Sequence, residues 1–199
     1  MTRFLLLGAA LLVGACTASS DDVGAAGEYD TATLAEGVSV CPDNLVLNVD
    51  DYPEPLMIEA ASAEDYHAKV GANADITTTP SGLQYRVVSA GLENGMQPRS
   101  GEEVFANYHG VLTDGTLFDS SYVKGSPFIT QTTRVIRGWT EALEGMVVCE
   151  ARTLYLPASL AYGQRGAGRD IKPGDSLIFH MQLLRVNRDG VDPVGVDRD

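Results

Sequence analysis

From Thr79 onward the chain alternates short apolar stretches with tight turns, a texture that predicts strands. Leu83–Ser89 has the β-branched and aromatic content of a strand. Glu103–Thr113 is longer, and a period of two puts Val104, Ala106, Tyr108 and Leu112 on one face. Asp114-Gly115 then turns the chain, as residues that tolerate positive φ do at little cost. Leu117–Phe118, Phe128–Ile129 and Val135–Ile136 are brief apolar pieces between polar loops. Trp139 to Met146 predicts a helix with Trp139, Ala142, Leu143 and Met146 on one side and Gly145 near its end. Ala151–Leu156 and Ser176–Val186 predict two more strands, the second entered from the Lys172-Pro173-Gly174-Asp175 turn. One helix among five or six antiparallel strands predicts an α+β fold, the helix lying across one face of a curved sheet.

The N-terminal part reads differently. Arg3 precedes an unbroken run of twelve apolar and small residues, Phe4 to Ala15, too short for the roughly 20 residues of a bilayer-spanning helix and suited to a signal peptide over residues 1–15. Val13-Gly14-Ala15-Cys16 resembles a bacterial lipobox, which makes Cys16 the expected site of lipidation. The chain is then expected to be a membrane-anchored lipoprotein facing the periplasm, at the outer membrane; the alternative is a soluble periplasmic protein. Residues 16–75 predict an acidic, mostly irregular extension, broken by Pro42, Pro53 and Pro55, with a short strand around Asn44–Val49. Ser62, Glu64 and Asp65 predict a single capped helix ending near Gly71, too short for a coiled-coil arm, so a monomer is expected. Residues 188–199 are expected to form a flexible tail.

Composition changes the picture in one respect. The 199 residues carry a formal net charge of −13, and residues 17–75 hold thirteen acids against one base, Lys69. The remainder is nearly balanced and has no dense run of bases, so nucleic acid is an unsuitable partner. No Cys/His spacing suggests a metal, and no cofactor motif is present. With Cys16 acylated, Cys41 and Cys149 remain as an even pair of thiols in an oxidising compartment, either bridged or both free. Ser120, Ser121, His109 and Asp119 lack the G-x-S-x-G elbow of a hydrolase, and the glycines at 163, 166 and 168 fit no phosphate-binding loop. The aromatic residues spread over every element are the more unusual feature.

In order, Asn107-Tyr108-His109-Gly110, Gly115 to Ser121, Pro127-Phe128, Val135 to Trp139, Leu156-Pro157 with Ala161-Tyr162-Gly163, and Leu177-Ile178-Phe179 resemble the FKBP family of macrolide-binding peptidyl-prolyl isomerases. Thr78 to Tyr85 is similar to the entry segment of its bacterial, Mip-like branch. The resemblance implies an isomerase domain over residues 76–187, a half-barrel of antiparallel sheet wrapped around a short helix. It implies a pocket floored by Trp139 and walled by Tyr108, Phe118, Phe128, Val135, Ile171 and Phe179. Asp119, Tyr162 and the backbone N–H of Ile136 would act on the twisting amide. Cys149 falls at a tight turn the family commonly fills with Gly, where the mobile Cys41 segment could reach it. Asp170 and Lys172 depart from the family's usual apolar residue and proline, which bears on substrate preference and macrolide affinity. The implied activity is cis/trans isomerisation of X-Pro bonds in exported proteins, without cofactor, with proline-containing unfolded chains as partners and macrolides as further ligands; the alternative is a non-catalytic binding module or chaperone on the same fold.

Overall fold

The computed structural model describes residues 38–188; the apolar run and Cys16 at one end, and most of the tail at the other, lie outside them. The described residues form a seven-stranded antiparallel sheet. Its strands are β1 (Thr77–Thr78), β2 (Gln84–Ala90), β3 (Glu103–Leu112), β4 (Leu117–Ser120), β5 (Phe128–Gln131), β6 (Glu150–Leu156) and β7 (Leu177–Asn187). They lie in the order β1-β2-β6-β7-β3-β4, with β5 also paired to β3. Because β4 takes the Gly110 end of β3 and β5 the Glu103 end, the chain between them bulges away from the sheet.

Helix α3 (Arg137–Glu144) lies on the inner face. It starts two residues before the expected Trp139, because the Ile136 carbonyl accepts from the N–H groups of both Trp139 and Thr140, opening the first turn there. Trp139, Ala142 and Leu143, with Met146 just beyond the helix, pack on Val104, Leu154, Leu156, Met181 and Leu183. A Cβ at Gly138 would stand 2.5 Å from Leu156 Cδ2, so only glycine lets the helix approach β6 this closely.

The outer face is covered as well. Tyr66 and Val70 of α1 (Ala63–Gly71) bury against Val111, Tyr155 and Ile178, the alternate residues of β3, β6 and β7. The strand expected around Asn44–Val49 is absent; two single turns of 3-10 helix, Asp43–Leu45 and Val49–Asp51, occupy that stretch. The reason is a side chain in place of a strand partner: the Gln182 carboxamide accepts from Leu47 N (2.8 Å) and donates to Leu45 O (2.8 Å). The irregular extension is thus irregular in backbone yet docked on the domain from Val38 onward. The Val38 carbonyl accepts from Met96 N, Cys41 N donates to Leu184 O, and Leu56 N donates to the Tyr155 hydroxyl. Cys41 is joined to Cys149 by a disulfide, with a Cα separation of 5.0 Å across 108 residues. Among the described residues Cys149 is the non-glycine residue at positive φ, 70°, in the turn closed by Glu150 N on Val147 O. Residues 38–62 form, in effect, a strap across the back of the sheet.

Candidate active site

Residues of β3, β5 and β7 and the first turn of α3 bring four rings together. The Trp139 ring centroid lies 5.0 Å from Tyr108, 5.1 Å from Phe179 and 6.0 Å from Phe128, all edge-to-face. Phe118 meets Phe179 edge-on at 5.4 Å. Edge-to-face packing sets the positive rim of one ring against the negative face of the next, which fixes each ring's orientation as well as burying it. Gly110 makes this arrangement possible: a Cβ there would stand 2.7 Å from Phe118 Cζ and 2.8 Å from Phe179 Cε1. Trp139, Tyr108, Phe179 and Ile171 are buried, and Phe118, Val135 and Ile136 pack against the same cluster half-buried. Phe128 and Tyr162 are exposed, at 38% and 40%. The indole Nε1 of Trp139 is buried and has no partner among the described residues.

Two further polar groups near these residues, the Ile136 N–H and the Tyr162 hydroxyl, make no hydrogen bond among the described residues. The Ile136 N–H sits between a short 3-10 turn and α3, where its carbonyl is used and its donor is not. The Tyr162 hydroxyl has its pKa raised by burial and by the Asp119 charge.

Asp119 itself is held firmly. Its Oδ2 accepts from the Tyr108 hydroxyl at 2.6 Å, and its Oδ1 from Lys124 Nζ at 2.5 Å and from Ser120 N at 2.9 Å. Lys124 also donates to the Tyr108 oxygen at 3.0 Å. Burial works against the carboxylate's charge, but the bonds from Lys124 and Tyr108 outweigh it and hold its pKa below the usual carboxylate range. Lys124 was not visible as a site residue in the sequence. It reaches Asp119 because Ser121–Lys124 folds into one helical turn (α2), capped by the Ser120 hydroxyl and ended by Gly125 at φ 73°. The hydroxyl of Ser121 locks this turn to β3 by accepting from Tyr108 N at 2.8 Å. His109 Nδ1 does lie 3.2 Å from the Ser120 hydroxyl, but on the outer face, while Asp119 is engaged with Tyr108 and Lys124; no hydrolase relay forms. Asp170 is exposed on the loop before the buried Ile171.

The described residues thus form an α+β domain, an open antiparallel sheet folded over one short helix with a cluster of aromatic rings between them. A family profile described as "FKBP-type peptidyl-prolyl cis-trans isomerase" matches residues 94–184. The chain is 42% identical over 113 residues to the "Outer membrane protein MIP" of Legionella longbeachae, covering 57% of this chain and 48% of that one. It is 37% identical over 181 residues to the "Probable FKBP-type peptidyl-prolyl cis-trans isomerase" of Haemophilus influenzae, covering 80% of this chain and 74% of that one. The crystal structure of FkpA from Escherichia coli superimposes with a TM-score of 0.59 at 37% identity, over 62% of this chain and 57% of that one. The chain belongs to the FKBP-type peptidyl-prolyl cis-trans isomerase family. It spans about half the length of several of the curated relatives it matches.

Proposed function

We propose that the protein catalyses cis/trans isomerisation of X-Pro bonds in polypeptides, with the proline ring seated on Trp139. The observation that carries this reading is the cluster of edge-to-face rings around the buried Trp139, accompanied by two hydrogen-bond donors, Ile136 N–H and Tyr162 O–H, that have no partner among the described residues. Rotation about an amide meets a barrier of about 18–20 kcal/mol because it breaks the partial double bond. The half-rotated amide loses resonance and part of its dipole, so an apolar pocket favours it over the planar forms. No proton transfer or covalent intermediate is needed. Phe118, Phe128, Val135, Ile171 and Phe179 grip the ring, the two donors hold substrate carbonyls, and Asp119, kept ionised by Lys124 and Tyr108, faces the rotating group. A millionfold acceleration corresponds to about 8 kcal/mol of differential stabilisation, within reach of several such contacts together.

The test is refolding of a protein limited by a slow proline step, with catalytic amounts of the full chain. Acceleration that disappears in Trp139→Ala supports the reading. If folded wild-type protein suppresses aggregation without accelerating the proline phase, the fold serves here as a binding module. At its N-terminus, the lipobox-like Val13-Gly14-Ala15-Cys16 supports anchoring of the exported chain through an acylated Cys16. Mass spectrometry of the mature N-terminus decides this, an unmodified terminus being the result against it.

A further inference from the structure

The apolar walls of the pocket are each bracketed by arginines that the fold does not use. On one wall Val135 and Ile136 pack against the core, while Arg134 and Arg137 on either side of them are exposed. On the loop from Ala161 to Ile171, Ala161, Ala167 and Ile171 pack against the same core, while Arg165 and Arg169 are exposed. Arg165 lies in the turn that begins at Tyr162, its N–H donating to the Tyr162 carbonyl at 3.3 Å. None of these four guanidinium groups makes an ion pair or a side-chain hydrogen bond among the described residues. Of the other described bases, Lys69, Arg86, Lys124, Arg152 and Arg188 are in ion pairs and Arg185 lies over Phe105, while Arg99 and Lys172 have no ion pair either. No nearby acid forms an ion pair with the four among the described residues: Asp119 is taken by Lys124, and Glu141 accepts from the Ser81 hydroxyl; exposed Asp170, next to Arg169, offsets part of that one charge.

We infer that this rim selects proline segments flanked by carboxylates, an inference that rests on the isomerase reading above. A guanidinium is planar, weakly hydrated and matched to a carboxylate through two parallel N–H bonds, which makes an unpaired arginine at a binding lip a carboxylate receptor. An extended substrate advances about 3.3–3.6 Å per residue, so side chains one to three positions on either side of the X-Pro bond pass over the two walls. The partner is therefore an unfolded segment with isolated Asp or Glu near its proline. A polyanion does not suit, since the chain's net charge of −13 repels it at long range while the four arginines act locally.

The experiment uses the full-length protein and three peptides that share a central Leu-Pro and differ only in having Glu, Ser or Lys at the flanking positions. At low ionic strength kcat/KM is expected to fall in the order Glu, Ser, Lys, with about three- to tenfold between the first two, as two exposed charge pairs provide. About 0.5 M salt collapses the difference. Changing the four arginines to Gln brings the Glu peptide down to the Ser peptide and leaves the Ser peptide unchanged. Reversing two of them, Arg134→Glu with Arg169→Glu, shifts preference to the Lys peptide, which a merely structural role would not do. If the Ser peptide is accelerated but the Glu peptide is no better, or if its advantage survives the four substitutions, the inference is overturned while the isomerase reading stands. If no peptide is accelerated, that reading fails first. The fluorescence of Trp139, the only tryptophan, then ranks binding of the same peptides, and equal affinities overturn the inference independently.

Discussion

Opening the Cys41–Cys149 bridge offers a measurement whose size follows from the chain's geometry. The bridge closes a loop with a sequence separation of 108 residues, and in the chain-entropy treatment such a loop removes about 5 kcal/mol of freedom from the unfolded state. Reduction of the wild-type protein should cost close to that amount. The double variant Cys41→Ala with Cys149→Gly should cost less, because position 149 has φ of 70°. Left-handed backbone penalises an L side chain by roughly 1–2 kcal/mol, and glycine relieves it. The expected net loss in the variant is about 3–4 kcal/mol, which for a chain of this size corresponds to a fall in Tm of about 7–15 °C. Thermal unfolding followed by circular dichroism, on oxidised wild type, reduced wild type and the variant, gives all three values. The order should be oxidised, then variant, then reduced. Oxidised and reduced wild type melting within about 2 °C of each other would refute the reasoning, since the bridge would then constrain nothing in the unfolded chain.

Other outcomes follow from single contacts. Gly110→Ala forces Phe118 and Phe179 apart, and isomerase activity should drop at least about tenfold, with Trp139 fluorescence altered, while the fold persists. Asp119→Asn keeps the size of the side chain but removes the charge that Lys124 and Tyr108 serve; kcat/KM should fall about ten- to a hundredfold with Tm within a few degrees, and unchanged kinetics would remove Asp119 from the mechanism. His180, between the Tyr52 ring and the Thr153 hydroxyl, has its pKa pushed down to about 4, first by burial and then by His109 and Arg86. Because the unfolded imidazole takes up a proton near pH 6.5 and the folded one does not, stability is full above that pH. It is lost as pH falls from about 6.5 towards 4, by about 3 kcal/mol; His180→Gln should flatten that limb of the denaturation profile. Breaking the buried Arg152–Glu150 pair by Glu150→Ala should cost about 3–5 kcal/mol in urea unfolding, because it strands a guanidinium that also holds the Gly145 carbonyl at the end of α3.

A strand's period of two states that Val104, Ala106 and Tyr108 share a face, and the structure buries all three; a pocket among the rings was implied only by the resemblance of short ordered blocks to the FKBP family. The sequence pattern placed a helix on one face of the sheet; the second covered face, where Tyr66 and Val70 bury Tyr155 and Ile178, went unread although near-continuous apolar strands are its signal. The strap was not legible, for its order comes from Gln182 reaching Leu45 and Leu47 more than 130 residues away in the chain, a pairing with no local signature. Lys124 was equally hidden. Five positions separate it from Asp119, and only the single turn of α2 and the left-handed Gly125 fold it back.

The strap also decides where the chain can be divided. Expressing residues 76–199 alone would look reasonable from the family match, which begins at residue 94. Such a fragment would strip Tyr155, Ile178 and Val111 of Tyr66 and Val70, orphan the Gln182 carboxamide and leave Cys149 a free thiol beside a bare β-surface. A contiguous apolar area of that kind is a site for association between copies, so insoluble or oligomeric material from it would report on the cut and not on the native chain. Fusion partners, affinity tags and truncations therefore belong before Val38, and a library meant to vary the pocket should carry the strap unchanged.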